Sequence, residues 1–173
     1  MKAQRLSLQV APPLGSGQKI ILASSVGVLT ASALTLAWAI PKSPMQITLH
    51  YTNLANGTRP GPPSDLWTLW KISLALWAVL GLVAWGLPRS NVPLNGMPPI
   101  TEENVPRIFQ AIRGLFLAVQ LIVTLLLCGD LLACVVRGFG GPDLMALALF
   151  PIAAIPVTLG HFLYRSSYPP HRN

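Results

Sequence analysis

The chain has 173 residues, 52% of them hydrophobic and only 10% charged, against roughly 25% charged in a soluble domain. With a mean hydropathy of +0.55, that deficit excludes an ordinary water-soluble globule and makes lipid the main solvent. The net charge of +7 does not describe a nucleic-acid surface, because the basic residues are scattered among loops and tails instead of clustering on one soluble face.

Four stretches reach the about 20 apolar residues needed to cross a bilayer at about 1.5 Å each. They lie at roughly 20–40, 66–87, 114–136 and 144–164. The expected fold is therefore an all-α membrane protein with four transmembrane helices over 20–164 and tails at 1–19 and 165–173. The first span has no charged residue; the second carries Lys71, the third Asp130 and the fourth His161. Lys2, Arg5, Lys19, Arg89, Arg107, Arg113, Arg165 and Arg172 fall on one side, and Lys42, Arg59, Lys71 and Arg137 on the other. Basic residues favour the cytoplasmic side. This split predicts a plasma-membrane protein with both termini cytoplasmic and the first loop outside.

In chain order, residues 1–18 show no period and read as a cationic tail. Ala37-Trp38-Ala39 resembles a signal-peptide cleavage site, but the apolar run before it is longer than the usual 7–15 residues, which favours a retained span. The first loop, Pro41–Asp65, is the longest polar interruption between spans. Within it Met45, Ile47, Leu49 and Tyr51 alternate with Gln46, Thr48, His50 and Thr52. That is the pattern of a half-buried strand, so an ordered, strand-like outer loop is expected. Asn56-Gly57 marks a turn, Arg59-Pro60-Gly61-Pro62-Pro63 an extended or turned exit, and Ser64 or Asp65 a cap for the second span. Asn56-Gly57-Thr58 is also a glycosylation sequon.

Trp67 and Trp70 at the outer end of the second span, Trp85 at its inner end and Trp38 at the outer end of the first span form an aromatic-belt pattern. Gly81 and Gly86 offer close helix contact. After the turn-rich second loop, Thr101 with Glu102, Glu103 and Asn104 opens a helix. Val105, Ile108, Phe109, Ile112 and Phe116 then follow helical spacing, with Arg107, Gln110 and Arg113 on other faces. This stretch runs along or up from the inner interface before the third span begins. Cys128 and Cys134 lie six apart on one helix, too far apart to pair, and read as packing residues. A glycine-rich turn precedes the fourth span, where Pro151 and Pro156 predict a kink.

No phosphate loop, nucleophile elbow, zinc-spaced cluster or working carboxylate pair is present in the sequence, so neither an enzyme nor a cofactor is expected. Two constellations remain. Lys71 and Asp130 sit some 8–9 Å deep on the same side, at about 1.5 Å per residue. They read as an intramembrane pair joining the second and third spans; snorkelling by Lys71, water contact by Asp130 and a proton relay are the alternatives. The other constellation is the outer loop, where His50, Asn53, Asn56 and Arg59 cluster in a binding position.

Pro44-x-x-Ile47-x-x-His50, followed by Asn53 and Gly57, resembles the P-x-x-[IV]-P-x-H-[FWY]-N-x-x-G loop of a bacterial membrane family of unknown function related to SdpI-type immunity proteins. Ile100-Thr101-Glu102-Glu103-Asn104, followed by Arg107, is similar to the I-T-x-E-N stretch those proteins carry before their next span. The likeness covers roughly Pro41 to Leu125. The chain departs from it at Thr48, where the family has a second proline, at the extra Thr52, and in its proline-rich exit. The related SdpI-type proteins protect a cell against a secreted toxic peptide but are longer than this chain, so the resemblance implies the outer loop and the Glu103, Asn104 and Arg107 stretch as family features and does not by itself imply immunity.

The combined expectation is a non-enzymatic multi-pass protein, sensor, immunity-like or accessory. Its partners would be the bilayer and a peptide or another membrane protein. The alternative is a small transporter or an assembly subunit, suggested by Ser24, Ser25, Thr30, Ser32 and Thr35 on the first span. Oligomeric state is left open.

Overall fold

The computed structural model describes residues 12–49, 59–86, 105–142, 144 and 150–167. They form helix α1 (Ser16–Ala39), strands β1 (Ile47–Leu49) and β2 (Arg59–Gly61), and helices α2 (Asp65–Gly86), α3 (Val105–Gly138) and α4 (Ala154–Ser167). Among the described residues three helices are long and apolar enough to cross a membrane: α1 with its extension to Lys42, α2 and α3. The remaining apolar helical segment, Phe150–His161, is shorter, and the expected span at 144–164 falls partly on residues outside the described set.

Each helix boundary has a local cause. At the start of α1 the backbone N–H of Gly15 donates to Gln18 Oε1 at 3.2 Å, which satisfies one of the orphan donors of the first turn. At its end Pro41 lacks an N–H, so the chain tightens into a 3-10 turn over Ile40–Lys42. There the Ser43 hydroxyl donates to Ala39 O at 2.9 Å. Successive turn bonds from Asp65 N to Pro62 O and from Leu66 N to Pro63 O start α2, and the Asp65 carboxylate in its first turn suits the helix dipole.

Helix α3 has 34 residues and so extends about 51 Å, well beyond the about 30 Å hydrocarbon core. The stretch expected to precede the third span is continuous with it from Val105 onward. Gly140, at φ 76, stops the helix, and Gly140 N and Gly141 N return to Arg137 O and Val136 O at 2.9 Å each. The expected proline kink takes a different form. Pro151 lies in a 3-10 turn, Phe150–Ala153, and Pro156 lies in the first turn of α4, where no intrahelical N–H donor is required.

Helix α3 is the hub, packing against α1, α2, α4 and β1. The inward face of α1 is Ser25, Leu29, Ser32, Leu36 and Ala39. Their alternating spacing of four and three residues is that of a left-handed coiled-coil seam, with small residues letting the backbones approach. The small and polar residues of the first span are therefore divided: Ser25 and Ser32 are buried within the bundle, Thr35 is half-buried, and Ser24 and Thr30 are exposed.

Helices α1 and α3 end, and α2 begins, at the same end of the bundle. Here Leu36, Ala39, Leu66, Leu69, Leu131, Cys134 and Val135 form one apolar core with Ile47 and Leu49 of β1.

Candidate functional site

Strands β1 and β2 pair antiparallel, with Ile47 opposite Gly61, Thr48 opposite Pro60 and Leu49 opposite Arg59. The alternation expected of this loop holds only within β1, Ile47–Leu49. Ile47 and Leu49 are 4% and 0% exposed, but Met45, expected on the same buried face, precedes the strand and is 94% exposed. Each buried side chain contributes about 1.5–3 kcal/mol relative to exposure. That anchorage matters because an isolated two-stranded hairpin is marginal in water.

Two glycines make room for these side chains. A Cβ on Gly61 would stand 2.5 Å from Leu49 Cδ1, and a Cβ on Gly138 would stand 2.9 Å from Ile47 Cγ2. The hairpin is thus seated on the end of α3, with residues 50–58 between its strands. Among the candidate recognition residues, His50, Asn53 and Asn56 lie outside the described residues, and Arg59 opens β2. Glu103 and Asn104 also lie outside them, while Arg107 is half-buried in the first turn of α3.

Aromatic side chains surround the hairpin end. Trp38 and Phe139 pack with centroids 6.0 Å apart, and Lys42 Nζ stands 4.1 Å above the Trp38 ring. Trp67 and Trp70 meet edge to face at 5.7 Å. Trp70 does more than mark an interface, since its indole N–H donates across to Leu29 O on α1 at 3.1 Å.

Deeper in the bundle runs a polar seam that the sequence did not reveal. The Trp77 indole N–H donates to Ser25 Oγ at 2.9 Å. The Gln120 side-chain amide donates to Trp77 O at 2.7 Å, and Thr124 Oγ1 donates to Gln120 O at 2.7 Å. The seam ties α1, α2 and α3 together. Gly81 is what admits Gln120, because a Cβ there would lie 3.2 Å from its Nε2. Gly86 meets no neighbour within 4 Å, so only one of the two expected glycine contacts is made. The available signal was Gln120 itself, the lone amide in an otherwise apolar run.

The two intramembrane charges occupy different environments. Asp130 is half-buried on α3, while Lys71 is exposed. At about 100° per residue, Lys71 lies about 160° around α2 from the face that carries Leu66, Leu69 and Ser73. Depth alone brought them together in the sequence reading, and azimuth separates them. Arg113 is fully buried at the far end of the bundle, where it donates to Pro12 O at 2.6 Å and lies 5.1 Å from the Trp85 ring centroid. Cys128 and Cys134 are both buried and are thiols, not a disulfide.

Among the described residues no group of three His, Cys, Asp or Glu is placed to hold a metal ion. The geometry consists of a hairpin fixed at its base and a hydrogen-bonded helix bundle beneath it. No family model matches the chain, and no curated protein or solved structure matches it either.

Proposed function

We propose that this is a non-enzymatic, four-span plasma-membrane protein that presents residues 50–58 on the outside to a peptide or a partner membrane protein, in a sensor, immunity-like or accessory role. The observation that carries this reading is the seating of β1. Ile47 and Leu49 are buried in the bundle core, and β2 pairs with the same strand, so both ends of the segment are tied to one rigid support. Loops held in this way are where recognition residues concentrate, and preordering lowers the entropy lost on binding. The resemblance to the SdpI-related family points the same way. The lysine and arginine split supports cytoplasmic termini.

The alternative, an assembly subunit or small transporter, draws on Ser24 and Thr30, which remain exposed on α1. It loses the support of Ser25 and Ser32, which the chain buries against its own helices.

Two experiments test the proposal. Reporter fusions at Asn173 and within Asn53–Thr58 should give cytoplasmic and external signals respectively; an external signal at Asn173 defeats the topology. His50→Ala and Arg59→Ala should insert and melt like the parent and lose partner capture in a crosslinking pull-down. Undiminished capture by both variants would place recognition outside the loop.

A further inference from the structure

At the end of the bundle away from the hairpin, α4 packs on α3 and leaves a cleft of about 420 Å³ beside α1. It spans Gln110 to Ala118 of α3, about 12 Å at about 1.5 Å per residue. Its chemistry is graded along that length. Toward the middle of the bundle its walls are apolar, with Ile21 of α1, Ala118 of α3 and the exposed Val157 of α4. At the mouth stand Gln18, Gln110 and His161. Gln18 Nε2 donates to Gln110 O at 2.7 Å and fixes α1 to α3 there.

Basic residues stand beside the mouth. Lys19 is exposed beside Gln18, and Arg107 lies one turn before Gln110 on α3. Asp65 and Asp130, the acids among the described residues, lie toward the hairpin end.

Apolar walls beyond a polar mouth, with Lys19 and Arg107 beside that mouth, match a hydrocarbon chain that ends in an anionic head group. We propose that the cleft binds one anionic phospholipid, with an acyl chain along Ile21, Ala118 and Val157 and the phosphate at the Gln18–His161 mouth beside Lys19 and Arg107.

The test is native mass spectrometry of the purified full chain taken from mixed micelles of phosphatidylglycerol and phosphatidylcholine with identical acyl chains. The parent should retain one phosphatidylglycerol in preference to phosphatidylcholine. Lys19→Gln should lower that preference about fivefold, the ratio corresponding to about 1 kcal/mol per basic residue at an anionic surface. Ala118→Phe should remove bound lipid of both kinds. Val157→Phe, at an exposed position on the opposite wall, should do the same and guards against misfolding of Ala118→Phe, with tryptophan fluorescence melts confirming that each variant is folded. Equal retention of the two lipids by the parent, or lipid retention unchanged in the folded blocking variants, overturns the proposal. A doubled mass replacing the lipid-bound monomer also overturns it, because a second copy of the chain would then cover the cleft.

Discussion

The two ends of the bundle are closed by different means. At the hairpin end the chain plugs its own core: Ile47 and Leu49 drop into the space between α1, α2 and α3, and Gly61 and Gly138 are shaped to receive them. At the far end a glutamine bridge holds α1 against α3, and the buried Arg113 holds Pro12 ahead of α1, while α4 leaves a cleft beside them. A loop above the first end inherits a rigid base. The second end is left accessible to small apolar molecules. The difference teaches that chain outside the helices completes the core at one end only, whereas along the bundle the helices join through buried leucines and isoleucines together with small residues and hydrogen bonds. In lipid there is little hydrophobic force to drive helix association, so packing and polar contacts must supply it.

The sharpest break of that comparison is Leu49→Ala. The side chain is fully buried, and its loss should cost about 2–5 kcal/mol, read as a lower midpoint in detergent melts followed by tryptophan fluorescence. The matching change at the other end, Ile20→Ala, removes a side chain that is 66% exposed and should stay within about 0.5 kcal/mol of the parent. Equal losses would mean that the hairpin is not part of the core.

A smaller effect separates the two glycines of α2. Gly81→Leu drives a side chain into Gln120 and should destabilise by about 1–3 kcal/mol, as overpacking does. Gly86→Leu enters open space and should melt like the parent. If both lose equally, Gly81 does not owe its place to the Gln120 contact.

The polar seam should yield less again. A double-mutant cycle between Trp77→Phe and Ser25→Ala isolates the indole-to-hydroxyl bond, expected at about 0.6 kcal/mol, the average for hydrogen bonds between membrane helices. A coupling indistinguishable from zero would remove this bond from the forces joining α1 to α2.

The smallest effect concerns Lys71 and Asp130. With Lys71 exposed on the outward face of α2, Lys71→Leu and Asp130→Asn should be additive in a cycle, within about 0.3–0.5 kcal/mol. A coupling well above that would restore the intramembrane pair suggested by their common depth.

What composition and hydropathy settled was the class: helices with too little charge to live in water and with enough apolar length to span a bilayer. The β1 segment was legible for the same kind of reason, because Ile47 and Leu49 at every second position are both buried, although Met45, read onto the same face, lies before the strand and is exposed. Local punctuation was legible as well, since Pro41 and the glycine turn after Gly138 act within a few residues of themselves. Azimuth was hidden. In α1 small polar residues fall on both faces, with Ser24 and Thr30 exposed and Ser25 and Ser32 buried, so lipid-facing and protein-facing positions look alike in one dimension. Only packing against α3 singles out Ser25, Ser32 and Ala39 as the inward face. The same blindness let depth suggest a Lys71–Asp130 pair and kept the Trp77–Gln120 seam out of view. Where a proline acts was likewise a tertiary outcome: Pro156 falls in the first turn of α4 because the helix begins at Ala154, a boundary that no residue-by-residue propensity dictates. Sequence determines what each segment can dissolve in; which of its faces touches protein is decided only when the helices meet.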